Sequence, residues 1–158
     1  MTTFSHLDDT GGISMVDVAS KRASMREAVA VATVRMSPGT LAKLVERALP
    51  KGDVLTTAKV AGVLAAKQTP NLIPLAHPLS ITSVDITFDL DQNSGTIEVR
   101  SIVRCEGKTG VEMDAMTACA VAALTIYDMC KSAEKGIVIE SLQLMHKSGG
   151  KSGTWERG

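Results

Sequence analysis

One uncharged segment, residues 115–127, constrains the fold more than any other feature of the sequence. It runs for 13 residues without a charge, which is shorter than the ~20 apolar residues that cross a membrane. The helix predicted there is apolar almost all round between Ala115 and Met129, and such a helix is buried on both sides. A chain of 158 residues offers little besides its own sheet to cover it. We therefore expect a homo-oligomer in which a second copy covers the other face.

Composition and charge narrow the class of protein. Of the 158 residues, 44% are hydrophobic, so one domain with a sizeable core is expected without disulfide or metal support. The 17 basic residues equal the 17 acidic ones. This balance argues against nucleic-acid and membrane-surface partners, since both require a basic excess. An anionic ligand must therefore meet a local cluster of cations.

The cysteines and the amino terminus indicate the compartment. Cys105, Cys119 and Cys130 are odd in number and form no CxxC pair, which favours reduced thiols in a cytoplasmic protein. The first twelve residues have neither a basic start nor an apolar run, so they do not read as a secretory signal. The three histidines lie on separate segments and no HExxH motif is present. The sequence therefore predicts no metal site.

The hydrophobic pattern predicts elements in the order strand, strand, helix, helix, strand, strand, helix, strand. The strands are expected at residues 15–18, 28–36, 79–90, 96–106 and 137–145. The helices are expected at residues 38–49, 54–68 and 111–133, with Ser37 and Asp53 as the N-caps of the first two. Helices clustered beside an antiparallel sheet make an α+β domain.

Glycine and proline mark two further features of the second helix and the loop that follows it. Gly62 in the middle of the helix costs ~1 kcal/mol relative to alanine unless something packs against the backbone. It therefore predicts a close helix contact. Pro70, Pro74 and Pro78 fall within nine residues and predict a rigid loop up to His77, without regular structure.

Charged residues lie at both ends of the apolar helix. Asp128 and Lys131 share a face at spacing i, i+3. Either they act together in a site, or Lys131 complements the helix dipole with Asp128 as its surface partner. Glu112 and Asp114 lie at the amino-terminal end, where a favourable dipole interaction is a sufficient explanation.

Two basic side chains lie at breaks in the pattern. His77 stands between Ala76 and Pro78 and is either a structural hydrogen bonder or a positioned acid, base or ligand contact. Lys51 precedes a helix amino terminus, where it faces either solvent or a bound anion. The sequence alone leaves both alternatives open.

Five segments, taken together, closely resemble the cyclic pyranopterin monophosphate synthase family, also called the molybdenum cofactor biosynthesis protein C family. The resemblance runs in family order from about Ser5 to Gly153 and includes MVDV at residues 15–18. Many members carry Cys where this chain has Ala76, and Glu where it has Asp114. The segments are KGDV (51–54), LIPLAHPL (72–79), GKTGVEM (107–113), AALTIYDMCK (122–131) and KSGGKSG (147–153).

The resemblance implies a ferredoxin-like α+β subunit in a homohexamer, a trimer of dimers, with active sites at the dimer interfaces. It implies a lyase that converts 3',8-cyclo-7,8-dihydroguanosine 5'-triphosphate to cyclic pyranopterin monophosphate and releases pyrophosphate. No metal or organic cofactor is implied. The expected organisation is a flexible segment 1–13, one α+β catalytic domain 14–146, and a glycine- and lysine-rich tail 147–158 that contributes to the site.

The resemblance also implies residue roles. Lys51 and Lys131 are expected to be catalytic, with Asp128 as the acid/base that also orients Lys131. We hypothesise that the two lysines of one site come from different subunits. Weaker candidates for phosphate contact are Lys21 and Arg26. The expected substrate-binding residues are Leu75, Ala76, His77, Glu112, Met113, Asp114, Lys67 and Lys147.

Two functions other than catalysis are considered as alternatives to the enzyme. The chain is either this enzyme or a catalytically silent oligomer that binds a nucleotide or pterin, with the lysines as anion contacts only. A purely structural oligomer gives no reason for the placement of His77, Asp128 and Lys131. A product assay distinguishes the enzyme from the silent binder.

Overall fold

Strand β1 (Ser24–Arg35) lies at the centre of a five-stranded antiparallel sheet with the order β2-β3-β1-β4-β5. The computed structural model describes residues 4–158. The helices are α1 (Pro38–Val45), α2 (Val54–Leu72) and α3 (Glu112–Cys130). The other strands are β2 (Ile81–Asp91), β3 (Thr96–Gly107), β4 (Val138–Ser148) and β5 (Trp155–Glu156). The predicted α+β class is confirmed.

The element order explains the ferredoxin-like topology. β1, α1 with α2, β2, β3, α3 and β4 form a β-α-β-β-α-β unit, and β5 adds a short edge strand beside β4. β2 and β3 are joined by the predicted turn, with Asp91 paired to Thr96. Ser37 and Asp53 cap α1 and α2, since their side chains accept from the backbone N–H of Thr40 and Thr56.

Small residues allow α3 to lie close to the sheet. Ala28, Ala30 and Ala32 alternate along β1 and are fully buried, so they share the face that packs against the helix. On α3, the small residues Ala115 and Cys119 are also fully buried and face the sheet, since Ser101 Oγ donates to the carbonyl oxygen of Ala115 and Cys119 Sγ donates to that of Val99. Short side chains on both surfaces let the two backbones approach, which fixes the helix relative to the central strand.

Gly62 makes the close helix contact that the sequence predicts. A Cβ at this position would lie 2.9 Å from the carbonyl oxygen of Ala118 and 3.3 Å from the Cβ of Ala122. Gly62 also faces Ile86 of β2, so helix α2 packs beside α3 on the sheet. The sheet and α2 bury most of α3 but leave one face of the helix partly exposed, and our expectation that a second copy covers that face stays a prediction. Leu124 remains 56% exposed.

Some predicted boundaries are wrong. Residues 15–18 form no strand, because their alternation meets no partner strand. α1 ends at Val45, since Arg47 adopts a left-handed φ of 56°. α2 runs past Pro70 to Leu72, because a proline so near the helix end removes only one hydrogen bond.

The two ends of the chain also differ from expectation. β4 continues to Ser148 and β5 pairs with it, so the predicted boundary between domain and tail at residue 147 falls inside a strand. Of the amino-terminal segment 1–13, residues 1–3 lie outside the described residues. The described part contains a bridge between Leu7 and Ile13, and the Asp8 carboxylate accepts from the backbone of Gly12.

Among the described residues, α3 is the one helix that is long and apolar enough to cross a membrane by length and composition. It packs against α2 and against the sheet. That position is typical of the core helix of a folded domain.

Candidate functional site

The amino-terminal end of α3 borders a cleft of 680 Å³, which we call the loop cleft. The loop that follows α2 forms one wall and the start of α3 another, because α2 and α3 run antiparallel. The segment before β1 closes the cleft, with Ile13, Val16 and Lys21 on its surface. The cleft brings together six of the predicted substrate-binding residues: Leu75, Ala76, His77, Glu112, Met113 and Asp114.

His77 is anchored to the amino-terminal segment. Its Nε2 lies 2.7 Å from the carbonyl oxygen of Val16, and the ring is half-buried. Pro78 follows His77 directly and restricts the backbone of His77 to extended conformations. The loop therefore holds one imidazole nitrogen in a fixed contact, while the ring borders the cleft.

Asp114 is the buried carboxyl of the loop cleft, with only 3% of the residue exposed. Burial, and to a smaller extent the nearby Glu112 carboxylate, raises the pKa of Asp114 to about 6. A carboxyl of this kind exchanges a proton near neutral pH. It is therefore suited to general acid and base chemistry.

A second cleft of 830 Å³, which we call the basic cleft, continues from the first. The two share Lys21, Thr109, Gly110 and Glu112. The basic cleft gathers cations around one carboxylate, so it is suited to a polyanion such as a phosphate chain. Its basic residues are Lys21, Arg22, Arg26, Lys147 and Lys151.

Glycines bring the chain after β4 close to β1 in this cleft. Gly149 and Gly150 have φ values of 93° and 74°, which favour glycine. A Cβ on Gly150 would lie 2.8 Å from the guanidinium carbon of Arg26. Arg26 also donates from Nε to the carbonyl oxygen of Gly107 at 2.9 Å. The run of glycines thus holds Lys151 beside a fixed arginine.

The opposite end of α3 carries the two predicted catalytic lysines, in what we call the Lys–Asp–Lys cluster. Lys51 Nζ lies 3.0 Å from Asp128 Oδ2, and Lys131 Nζ lies 2.6 Å from Asp128 Oδ1. All three side chains are about half exposed. The shared face of Asp128 and Lys131 is confirmed. Both lysines contact one Asp128 within a single chain, which favours one chain as the source of both, and the hypothesis that they come from different subunits stays a prediction.

The two ammonium groups keep Asp128 ionised. Hydrogen bonds from Lys131 and then from Lys51 lower the pKa of Asp128, and their positive charges add to the effect. In return, Asp128 raises the pKa of Lys131. Asp128 therefore stays ionised at neutral pH, where it orients two cations, is available as a weak base and is a poor proton donor.

Comparison with known proteins places this chain in a family. The MoaC family model matches residues 15–150. The chain belongs to the MoaC family.

Several curated relatives are similar to this chain over nearly its full length, and each is named cyclic pyranopterin monophosphate synthase. The protein of Geobacter sulfurreducens is 57% identical, covering 98% of this chain and 97% of the relative. That of Bordetella avium is 56% identical, with coverage of 98% and 96%. That of a Roseiflexus species is 52% identical, with coverage of 97% and 97%. These MoaC relatives all carry the name of an enzyme.

The predicted site residues fall into two groups that one chain does not bring together. Met113 and Asp128 lie 15 residues apart on α3, which corresponds to ~22 Å at ~1.5 Å per residue. No side chain bridges that distance. Lys67 belongs to neither group in the single chain, because it is exposed on α2 and borders neither cleft.

Other residues of the clefts were missed in the sequence. Arg22, Lys151 and Ser152 border the basic cleft, and His6 borders the loop cleft. The glycine and lysine run after β4 was the one available signal for Lys151. Nothing in the local pattern indicates His6, because its place in the cleft depends on how the amino-terminal segment packs.

All three cysteines are free and buried. Burial raises the pKa of Cys119 to about 12 and that of Cys130 to about 11, and it also raises the pKa of Cys105. These thiols stay protonated and are poor nucleophiles. Within residues 4–158, no group of three His, Cys, Asp or Glu side chains is arranged to hold a metal ion.

Proposed function

We propose that this chain is a cyclic pyranopterin monophosphate synthase of molybdenum cofactor biosynthesis. It converts 3',8-cyclo-7,8-dihydroguanosine 5'-triphosphate to cyclic pyranopterin monophosphate and releases pyrophosphate, as a phosphorus–oxygen lyase in the cytoplasm. One observation carries the proposal: a cation-lined cleft continues into a cleft with a histidine and a buried carboxyl. A substrate with a triphosphate at one end and a purine-derived ring at the other matches this pair.

The basic cleft binds the triphosphate. Arg26 supplies a guanidinium that its hydrogen bond to Gly107 holds in place. Lys147 and Lys151, which lie on either side of two glycines in the sequence, supply ammonium groups. Charge-assisted hydrogen bonds from such groups are roughly twice as strong as neutral ones. The same cations stabilise the negative charge that develops on pyrophosphate as it leaves.

The loop cleft binds the ring system. Rearrangement of the purine and sugar rings requires proton transfers to nitrogen and oxygen. Asp114 supplies and accepts protons, because burial raises its pKa to about 6. His77 contacts the substrate from the opposite wall, and Leu75, Ala76 and Met113 pack against its apolar surface.

The Lys–Asp–Lys cluster acts on the substrate of a neighbouring chain. Because the cluster lies ~22 Å along α3 from its own loop cleft, one site requires residues of two chains. In that site Asp128 orients the ammonium groups of Lys51 and Lys131. The ammonium groups neutralise the α-phosphate while a sugar hydroxyl oxygen bonds to its phosphorus and the bond to pyrophosphate breaks. Asp128 accepts the hydroxyl proton.

We propose that the assembly is a homohexamer, a trimer of dimers, which supplies these shared sites. Apolar side chains that a single chain leaves exposed support association. Val60 and Leu64 lie four residues apart on α2 with 55% and 56% exposure, and Leu124 is exposed on α3. Side chains of this size and spacing favour contact with another protein surface.

A product assay tests the proposal. The purified chain is incubated with the cyclised triphosphate, and pyrophosphate and the pterin product are quantified. Formation of both products in equal amounts is expected. Tight binding without either product would favour the silent nucleotide or pterin binder.

Asp128→Asn and Asp85→Asn form a matched pair for this assay. Asp85 pairs with Lys59 at 3.1 Å, and both partners are about half exposed, as in the Lys51–Asp128 pair. Asp128→Asn is expected to lower turnover ~100- to 10,000-fold and Asp85→Asn to leave it unchanged. Equal turnover of the two variants would contradict the role of Asp128.

A further inference from the structure

We infer that the carbonyl of Val16 fixes the proton of His77 on Nε2, so that Nδ1 is the atom that His77 presents to the substrate. Residues 15–18, predicted as a strand, then form a positioning element of the site together with Ile13, the last residue of the predicted flexible segment 1–13. The role of Nδ1 rests on the proposed function, whereas the proton position does not.

The donor and acceptor roles follow from the contact itself. A backbone carbonyl oxygen only accepts, so the imidazole nitrogen 2.7 Å away must carry the proton. Nε2 is therefore protonated in both the neutral and the charged ring. In the neutral ring, Nδ1 has a free lone pair, and in the charged ring it is a second donor. Among the described residues, the ring forms no other hydrogen bond.

Contacts on both sides of Val16 hold its carbonyl in place. Before it, Ile13 forms a bridge with Leu7. After it, Lys108 Nζ donates to the carbonyl oxygen of Ala19 at 3.0 Å. The segment also borders the loop cleft through Ile13 and Val16. The contacts from His77 and Lys108 therefore tie the segment to the rest of the domain and position the ring so that one nitrogen faces the substrate.

Two amide substitutions separate the two nitrogens. The amide nitrogen of His77→Gln replaces the Nε2 donor to Val16 but supplies nothing at the Nδ1 position. The amide oxygen of His77→Asn replaces the Nδ1 acceptor but does not reach Val16. If the ring of His77 only anchors the Val16 carbonyl, Gln can take over its role. If the ring acts on the substrate through Nδ1, Gln cannot.

The first measurement uses the wild-type chain labelled with ¹⁵N-histidine. His6→Gln and His146→Gln assign the other two histidines. In the neutral ring, the signal of His77 is expected to show a protonated Nε2, with its proton protected from exchange with water, and an unprotonated Nδ1. A proton on Nδ1 with a bare Nε2 would overturn the inference, whatever the activity of the chain.

The second measurement compares the amide variants. The ¹³C signal of the Val16 carbonyl is expected to stay near its wild-type position in His77→Gln and to move in His77→Asn. The kcat of His77→Gln is nevertheless expected to fall ~100-fold or more, with KM changed less. A wild-type kcat in His77→Gln would overturn the role of Nδ1. A wild-type chain that forms no product would refute the proposed function but leave the proton position intact.

Discussion

Lys51 binds Asp128 twice, through the carboxylate at 3.0 Å and through the backbone carbonyl oxygen at 3.1 Å. The two residues are 77 positions apart, yet the break before α2 places Lys51 at the carboxyl end of α3. An ammonium there also satisfies a carbonyl group that the helix leaves unpaired. The Lys–Asp–Lys cluster is therefore preformed within one chain, and this arrangement decides which pairs of variants test the proposed sharing of sites between chains.

Complementation between variants is expected only across the two ends of α3. Lys131→Ala disables the cluster and Asp114→Asn disables the loop cleft. If each site takes its cluster from one chain and its cleft from another, a mixed dimer has one intact site. Random reassembly makes about half of the dimers mixed, so activity should recover to about a quarter of wild type. The measurement is product formation after dissociation and reassembly of the two chains.

The control for this experiment mixes Lys51→Ala with Lys131→Ala. Both substitutions lie in the same cluster, so every site in the mixture retains a defect and no recovery is expected. Recovery in the control would show that the lysines of one site come from two chains. Failure of the Lys131→Ala and Asp114→Asn mixture, with mixed dimers verified, would assign the whole site to one chain.

Asp114→Asn is expected to stabilise the fold while it lowers turnover. The pKa of Asp114 is raised from 3.8 to about 6 by burial, so the folded chain holds its proton more tightly than the unfolded chain. Its contribution to stability is fully present below pH 3.8 and is lost as the pH rises to about 6. Above that range the ionised carboxyl destabilises the fold by on the order of 1–3 kcal/mol.

Denaturant unfolding of Asp114→Asn and wild type between pH 4 and 8 measures this effect. The variant should gain stability relative to wild type as the pH rises from about 4 to about 6, and the difference should then level off. Turnover should fall ~100-fold or more. A difference in stability that does not change with pH would show that Asp114 has an ordinary pKa.

The sequence predicted the core of the fold because its signals are local. The Ser37 and Asp53 caps and the turn between β2 and β3 depend on residues close in the chain. The prediction of a strand at residues 15–18 was wrong because alternation of apolar and polar residues does not reveal whether a partner strand exists. The short strand β5 was missed because two residues, Trp155 and Glu156, carry no periodic signal.

For the site, the sequence indicated residue types but not their grouping. Asp128 and Lys131 were paired correctly since they are three residues apart on one helix. Lys51 joins them only through the antiparallel packing of α2 and α3, and no local pattern encodes that contact. The contact between His77 and the Val16 carbonyl could not be predicted either. Every residue has a backbone carbonyl, so the residue type does not indicate which one forms the contact.

Lys151→Met tests the basic cleft. Loss of one ammonium from a cation-lined cleft is expected to raise KM for the triphosphate substrate about 5- to 30-fold, equivalent to ~1–2 kcal/mol. Because the exposed Lys135 lies outside both clefts, Lys135→Met is the matched control and should leave KM unchanged. Inhibition by added pyrophosphate should weaken in Lys151→Met alone. Equal KM values for the two variants would mean that Lys151 does not contact phosphate.

Gly62→Ala is expected to destabilise the fold although alanine favours helices. Alanine in a helix interior normally stabilises the fold by ~1 kcal/mol relative to glycine. At this position the new Cβ would lie 2.9 Å from the carbonyl oxygen of Ala118, so α2 must move away from α3. Overpacking of this kind costs ~1–3 kcal/mol.

Gly39→Ala on α1 is the matched control, because its Cβ meets nothing within 4 Å, and it should raise stability by about 0.5–1 kcal/mol. Thermal and denaturant unfolding measure both variants, and a Gly62→Ala chain as stable as Gly39→Ala would mean that the two helices are not in close contact.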